Sequence, residues 1–280
     1  MSDEQPAIAA LTTEDIRELR LPWLSRFNVD SLTAHLHANP GLSFWVPRTG
    51  EYIIAEMWRR RDDIGNIVEV TARKGRAALV RTLLDTLRAT GNRLVLMPDE
   101  VWSDRARLYG EMGFGPVEKI VFFHKDLKST GALETAGPLP QLDYSLATPH
   151  DLETLLNVDH NSFPWLWWNS PEDMANYLRM DGVSAYLARK DDKPVGYASF
   201  TMYNGWAHLD RLAVVESAQG RKYGAAQLSH VMGIMVSHGA DYVGLSTQEN
   251  NFQSHRLYNG FGFKQTRDSM KIYGLSLREP

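Results

Sequence analysis

The chain has 280 residues, 43% of them apolar, with a formal net charge of −4, a pI near 6.1 and no cysteine. That is enough apolar material for two cores of ordinary size. It leaves no basic footprint for nucleic acid, and it removes disulfides, thiolate metal sites and covalent catalysis through an enzyme thiol. The N-terminus MSDEQPAIAALTTED is acidic and lacks an apolar core of signal-peptide length, and no stretch approaches the ~18 apolar residues of a membrane span. The histidines show no metal-ligand spacing. The expectation is a cytoplasmic protein without nucleic-acid, membrane or metal partners.

In chain order, Thr12 and Asp15 come first and PWL follows at 22–24. A strand IVEVTA runs into the basic loop ARKGR, and LYGEMGF stands at 108–114. Residues 128–141, KSTGALETAGPLPQ, are rich in Gly, Pro, Ser and Thr and read as a linker. The same features then return. Thr148 and Asp151 answer Thr12 and Asp15, and PWL recurs at 164–166, an offset of 142. RKYGAAQLS at 221–229 answers ARKGRAALV at 72–80, and LYNGFGF at 257–263 answers LYGEMGF, both at an offset of 149. Self-similarity of this kind sets the fold before any local reading. It predicts a tandem duplication whose first copy has lost a few residues, with domains at 1–127 and 142–280 around the linker.

Within the second copy, Thr148, Pro149 and Asp151 form a capping box that opens a helix through Leu156. SAYLARKDDKPVGYASFTM (184–202) alternates around a polar turn, as a β-hairpin does. HLDRLAVV (208–215) is a strand, followed by a Gly-containing loop and a helix with Leu228, Val231, Met232 and Met235 on one face. DYVGLSTQ (241–248) is a further strand and Ser254–Tyr258 a short helix, with a final strand after it. The fold class is α/β (α+β), each copy a mixed twisted sheet flanked by helices.

The stretch AVVESAQGRKYGAAQL takes a strand through a tight loop straight into a helix, a junction whose free N–H groups and helix dipole suit an anion. Gln219, Gly220, Arg221, Lys222, Tyr223 and Gly224 resemble the Q/R-x-x-G-x-G/A acetyl-CoA loop of the GCN5-related N-acetyltransferases (GNATs), with Lys222 in place of the middle Gly. Asn251, Ser254, Leu257, Tyr258, Gly262 and Phe263 resemble the later N-x-x-A-x-x-L-Y-x-x-x-G-F motif of that superfamily, with Ser for Ala. The resemblance spans residues 145–273. It implies two tandem acyl-CoA N-acyltransferase folds and acetyl-CoA as acyl donor. Leu212, Ala213 and Val214 would pair with the pantetheine arm, and the amides from Gln219 to Ala225 with the pyrophosphate. Asn251 and Ser254 would lie beside the cofactor, although Asn251 also reads as a helix cap.

Acetyl transfer to an amine needs a base for the nucleophile and an acid for the leaving thiolate. Tyr258 stands where the superfamily carries a tyrosine near the CoA sulfur; Tyr109 in the other copy supports a core role instead. His208 and Asp210, two residues apart on a strand, share a face with Leu212 and Val214 in regular alternation. They match in position the two histidines of the arylalkylamine N-acetyltransferases. His208 is the base candidate, and Asp210 orients it, relays a proton or holds a cationic substrate. Because PWL recurs, Pro164 and Trp165 read as structural, and Trp167 and Trp168 as candidates for the acceptor pocket.

By the 149 offset, Val70 and Trp102 of the first copy stand where the second has Gln219 and Asn251, and IVEVTA offers no His–Asp pair. The first copy reads as degenerate, although a regulatory CoA site in it remains open. The expected function is acetyl transfer from acetyl-CoA to a small-molecule amine, directly and in a ternary complex. A non-catalytic acyl-CoA sensor and an acetyltransferase of protein lysines or N-termini are the alternatives. Monomer and homodimer are both compatible with the sequence.

Overall fold

The computed structural model describes residues 7–71, 75–100, 106–128 and 138–278. The loop at 72–74, Trp102 and most of the predicted linker lie outside the described residues. The chain forms two compact units. Unit 1 is Met1–Glu118 with Met270–Pro280, and unit 2 is Lys119–Ser269.

Unit 1 contains β1 (Ala9–Ala10), α1 (Val29–Ala38), β2 (Phe44–Val46), β3 (Glu51–Met57), β4 (Ile64–Val70), α2 (Arg76–Ala89), β5 (Leu94–Glu100), α3 (Ala106–Glu111) and the start of β6 (Gly115–Asp126). β1 to β4 pair antiparallel in succession, and β4 pairs β5 in parallel. α2 presents Leu79, Val80, Leu83, Leu84 and Leu87 to one face of this sheet, the i, i+4 spacing of an amphipathic helix. Leu32 and Leu36 of α1 cover the other face, against Trp45, Tyr52 and Ile54.

Unit 2 takes the rest of β6, then β7 (Asp143–Leu146), α4 (Leu152–His160), α5 (Pro171–Tyr177), β8 (Val183–Lys190), β9 (Lys193–Tyr203), β10 (Trp206–Val214), α6 (Tyr223–Ser237), β11 (Tyr242–Gln248), α7 (Phe252–Gly260) and the start of β12 (Lys264–Ser276). β7, β8, β9 and β10 are antiparallel neighbours, β10 pairs β11 in parallel, and Ile120–Asp126 of β6 closes the sheet antiparallel to β11. α6 buries Leu228, Val231, Met232 and Met235 on one face; Leu155, Val158 and Met174 of α4 and α5 cover the other. The hairpin, the long helix and the capping box at Thr148 and Asp151 follow the sequence reading. β7 and α5 were not anticipated by it, although Ser170-Pro171-Glu172-Asp173 is a helix-start signal and Ser170 accepts from the Asp173 amide.

Domains cut at 127 and 142 would follow chain order, whereas the compact units exchange their last strands. Ile120–Asp126 of the first copy pairs with β11, and Met270–Ser276 of the second pairs with β5. Two copies of one fold have interchangeable final strands, the condition under which such an exchange is cheap.

Candidate functional site

The parallel ladder of β10 and β11 runs from Trp206↔Tyr242 to Leu209↔Leu245 and ends there. On its other side β10 stays paired with β9 as far as Val214↔Gly196, but with a bulge at Asp210, between Leu209↔Phe200 and Arg211↔Ser199. Past Leu209 the β11 side of β10 is therefore an open edge.

The bulge sets which side chains share a face. Leu209 and Leu212 pack with α6, and Val214 lies 3.7 Å from where a Cβ on Gly224 would sit. Ala213 packs with Leu155, Val158 and Met174, and the Asp210 carboxylate reaches Tyr177 of α5. The regular alternation expected from sequence, with His208 and Asp210 on the face of Leu212 and Val214, is thus corrected by one extra residue. Leu212 and Val214 turn to the α6 side, while Asp210 turns to the α5 side.

The structure brings the two polar residues together. His208 Nδ1 lies 2.7 Å from Asp210 Oδ1, and Asp210 Oδ2 accepts from Tyr177 Oη at 2.6 Å and Thr201 Oγ1 at 2.7 Å. A carboxylate can only accept, so it holds the proton of neutral His208 on Nδ1 and leaves Nε2 as a lone pair. His208 is half-exposed, and solvent or an acceptor can reach that lone pair. Burial, then the Asp210 charge, pushes the Tyr177 phenol far above its usual range, so it remains a donor. Tyr177, 33 residues from Asp210, and Thr201, on the neighbouring strand β9, were missed from sequence because no local motif carries them.

Tyr258 is buried on α7 between Phe123 and Phe263, with ring centroids 5.9 Å from each. Burial pushes its hydroxyl up to about 12, with Ser254 pulling slightly the other way. Phe123 is the β6 partner of Leu245, so Tyr258 packs at the level where the β10–β11 ladder ends, on the α6 and α7 face.

At the start of α6, Gly220 and Lys222 have φ of +76° and +60°, and no side chain caps the helix. The first turn carries no acidic residue, and Arg221 and Lys222 are exposed. Among the described residues no side chain caps the first N–H groups of this helix. No atom lies within 4 Å of a Cβ built on Gly220. This donor set fits an anionic group. Lys222 occupies a left-handed position that favours glycine. The side chains of Tyr223 and Ala225 turn inward: Tyr223 is buried beside Val195 and Ala226, and Ala225 packs toward Leu228. Gln219 Nε2 donates to the Val214 carbonyl at 3.1 Å and ties the loop to the strand; Gln227 Nε2 does the same for Ala213 at 3.1 Å. Asn251 caps α7, accepting from the Ser254 amide at 3.2 Å and donating to Thr247 Oγ1 at 3.2 Å.

Trp167 and Trp168 lie in the loop between α4 and α5, on the Asp210 side of the sheet. Trp168 stacks on His160 at 4.6 Å and donates its indole N–H to the Phe163 carbonyl at 2.7 Å. Arg211, next to the bulge, holds the loop through the Trp167 carbonyl at 2.7 Å and Asn169 Oδ1 at 2.9 Å. Asp159 is fully buried beneath it and accepts from Tyr197 Oη at 2.6 Å and from the Asn169 amide at 2.9 Å. Both tryptophans are half-buried.

The two copies superpose differently from the gapless 149 offset. β4 also bulges, at Val68, two residues after Asn66, so Val68 matches Asp210 and Val70 matches Leu212, not Gln219. The deletion falls between β4 and α2, which are separated by five residues (71–75), against eight (215–222) between β10 and α6. Among the described residues no group of His, Cys, Asp or Glu could hold a metal ion, and no helix is long and apolar enough to cross a membrane.

Residues 150–263 match the acetyltransferase (GNAT) family. No curated protein matches the chain in sequence. Solved structures do match it in fold. A GCN5-related N-acetyltransferase from Sphaerobacter thermophilus aligns with a TM-score of 0.68 at 17% identity, over 100% of this chain and 98% of that one. Another from Kribbella flavida gives 0.61 at 17%, over 97% and 72%. A tandem GNAT protein from the clavulanic acid biosynthesis pathway gives 0.56 at 16%, over 98% and 99%.

Proposed function

We propose that this N-acetyltransferase of GNAT type, whose residues 150–263 carry the family match, transfers acetyl from acetyl-CoA to a small-molecule amine by direct attack within unit 2. The observation that carries the reading is the end of the β10–β11 ladder at Leu209↔Leu245. An oriented His208–Asp210 pair flanks Leu209, and the uncapped helix start of α6 lies beyond it. Acetyl-CoA supplies the acyl group and a thiolate leaving group. The amides from Gly220 to Ala225, with Arg221 and Lys222, would hold its phosphates, and the open edge of Leu212–Val214 would receive its pantetheine arm.

His208 Nε2 takes the proton that the amine sheds as its bond to the acyl carbon forms. Asp210, fixed by Tyr177 and Thr201, keeps that lone pair aimed and offsets the charge on the imidazolium. Tyr258 donates a hydrogen bond to the sulfur as the carbon–sulfur bond breaks. A phenol near 12 against a thiol near 8.5 makes full proton transfer uphill by ~5 kcal/mol, so hydrogen-bond donation comes first and solvent completes the thiol. The absence of cysteine from the chain agrees with direct attack.

Unit 1, with its shortened loop and with Asn66 and Val68 where unit 2 has His208 and Asp210, supports the reading of a copy that does not catalyse. The test is release of free CoA across a panel of primary amines. We expect turnover with wild type, a severe loss in His208→Ala and a smaller one in Tyr258→Phe. Acetyl-CoA binding without thiol release on any amine would favour a sensor instead.

A further inference from the structure

His208 belongs to a stretch of the unit 2 sheet that the helices leave bare. In β10 and β11 the side chains of Ala207, Leu209, Val243 and Leu245 pack toward α6. Their neighbours along each strand therefore point to the other face. On that face the first rung of the parallel ladder pairs Trp206 with Tyr242, and the third pairs His208 with Gly244. β6 carries the second of these rows one strand further, with His124 opposite Gly244. α4 and α5 cover the same face at Leu187, Tyr197 and Ala213, yet Trp206 is 60% exposed and Tyr203, opposite it on β9, 76%.

Gly244 turns the row into a groove. Among the described residues, a Cβ built on it would meet His208 Cδ2 at 3.7 Å and the Phe123 carbonyl at 3.9 Å, both ordinary contacts. Neither a positive φ nor a crowded neighbour calls for glycine at this position. What its missing side chain provides is a floor of bare main chain, where a ligand can lie close against the strand. His208 forms one wall. Its Cδ2 is the carbon bonded to Nε2 and leans over the floor, so the free lone pair borders the groove. At one end of the groove Trp206 stacks on Tyr242, with centroids 4.9 Å apart and planes at 24°. At the other end, past Leu209, β10 and β11 part. The acids near the stack are engaged: Asp126, opposite Tyr242, accepts from the Lys128 amide at 2.8 Å, and Asp241 pairs with Lys128 Nζ at 2.8 Å. That end therefore offers aromatic surface rather than charge. Trp168, in contrast, already stacks on His160 and bonds the Phe163 carbonyl.

We propose that the acceptor is a primary amine carrying a flat aromatic ring, with its nitrogen at His208 and its ring laid along Gly244 onto Trp206 and Tyr242. The two rungs are two residues, about 7 Å, apart, a span that a ring on a short carbon arm covers. An aliphatic amine of the same reach leaves Trp206 in water, and a second cation finds no free carboxylate beside the stack. The inference rests on the reading of His208 as the acceptor end of the acetyl-transfer site.

The test is calorimetric titration of the full chain, with excess CoA present, by phenethylamine, butylamine and cadaverine. We expect phenethylamine to bind at least about tenfold more tightly than the other two. Trp206→Ala should abolish that preference, whereas Trp23→Ala, which removes a tryptophan 93% exposed in unit 1, should keep it. Gly244→Ala should weaken phenethylamine at least about fivefold, because a methyl group then occupies the floor. Its melting temperature should stay level or rise, since the added carbon meets only ordinary contacts and the unfolded chain loses freedom. Equal affinities for the three amines, tighter binding of cadaverine, or an unchanged preference in both Trp206→Ala and Gly244→Ala would overturn the proposal. CoA release from acetyl-CoA is read in parallel. Selective binding of phenethylamine without CoA release on any amine would defeat the transfer reading alone, and equal turnover of all three amines would defeat the aromatic subsite alone.

Discussion

Replacing Asp159 by Ala should destabilise unit 2 by about 3–5 kcal/mol, the range for removing one partner of a buried charge pair. The carboxylate is 0% exposed and Arg211 above it only 10%, with 3.9 Å between them. The substitution strands the guanidinium and also leaves the Asn169 amide, the Asn169 side chain and the Tyr197 hydroxyl without the acceptor they use at 2.9, 3.1 and 2.6 Å. Against a total stability of about 5–15 kcal/mol for a domain, this is a large fraction. Urea unfolding followed by tryptophan fluorescence measures it, since Trp167 and Trp168 sit on the loop that Arg211 holds. The double variant Asp159→Leu/Arg211→Met removes both charges and should recover at least half of the loss, because most of the penalty is the unpaired charge rather than the pair's net worth. A single variant that loses less than about 1 kcal/mol, or a double variant as unstable as the sum of the singles, would refute the reasoning.

Tyr258→Phe should lower kcat while leaving acetyl-CoA affinity within about twofold, measured by calorimetry, since the ring and its packing remain. Lys222→Gly should raise stability by about 1 kcal/mol by relieving the left-handed conformation, partly offset by the freer unfolded chain, while acetyl-CoA binding weakens through loss of a charge. Tyr258, raised to about 12 in the folded state from about 10 unfolded, favours the folded protein fully below pH 10, and that contribution is lost as pH rises toward 12. The wild type should therefore lose about 2–3 kcal/mol more than Tyr258→Phe between pH 10 and 12 in denaturant melts; equal losses would mean that the phenol ionises freely.

The hairpin, the long helix and the tight loop before it were legible because each is written locally, in alternation, in i, i+4 spacing and in Gly220 and the basic residues around it. The bulge at Asp210 was not, since it exists only in the register of β10 against β9. Regular alternation, applied without it, joined His208 and Asp210 correctly but assigned Leu212 and Val214 to the wrong face. Tyr177 escaped for a related reason. Its bond to Asp210 spans 33 residues, and only the docking of α5 on the sheet creates it. Asp159 lies beyond Leu156, where the helix read from sequence stopped, and its burial depends on Tyr197 and Asn169 arriving from elsewhere. The exchanged last strands were hidden by the duplication itself, because two similar final strands fit either sheet.

Initial rates of CoA release with acetyl-CoA and a turned-over amine both varied test the central claim most directly. Direct attack, with His208 taking the amine proton inside a ternary complex, predicts intersecting double-reciprocal lines and no CoA release before the amine is added. Parallel lines, or a stoichiometric burst of CoA without amine, would contradict it by requiring an acetylated enzyme.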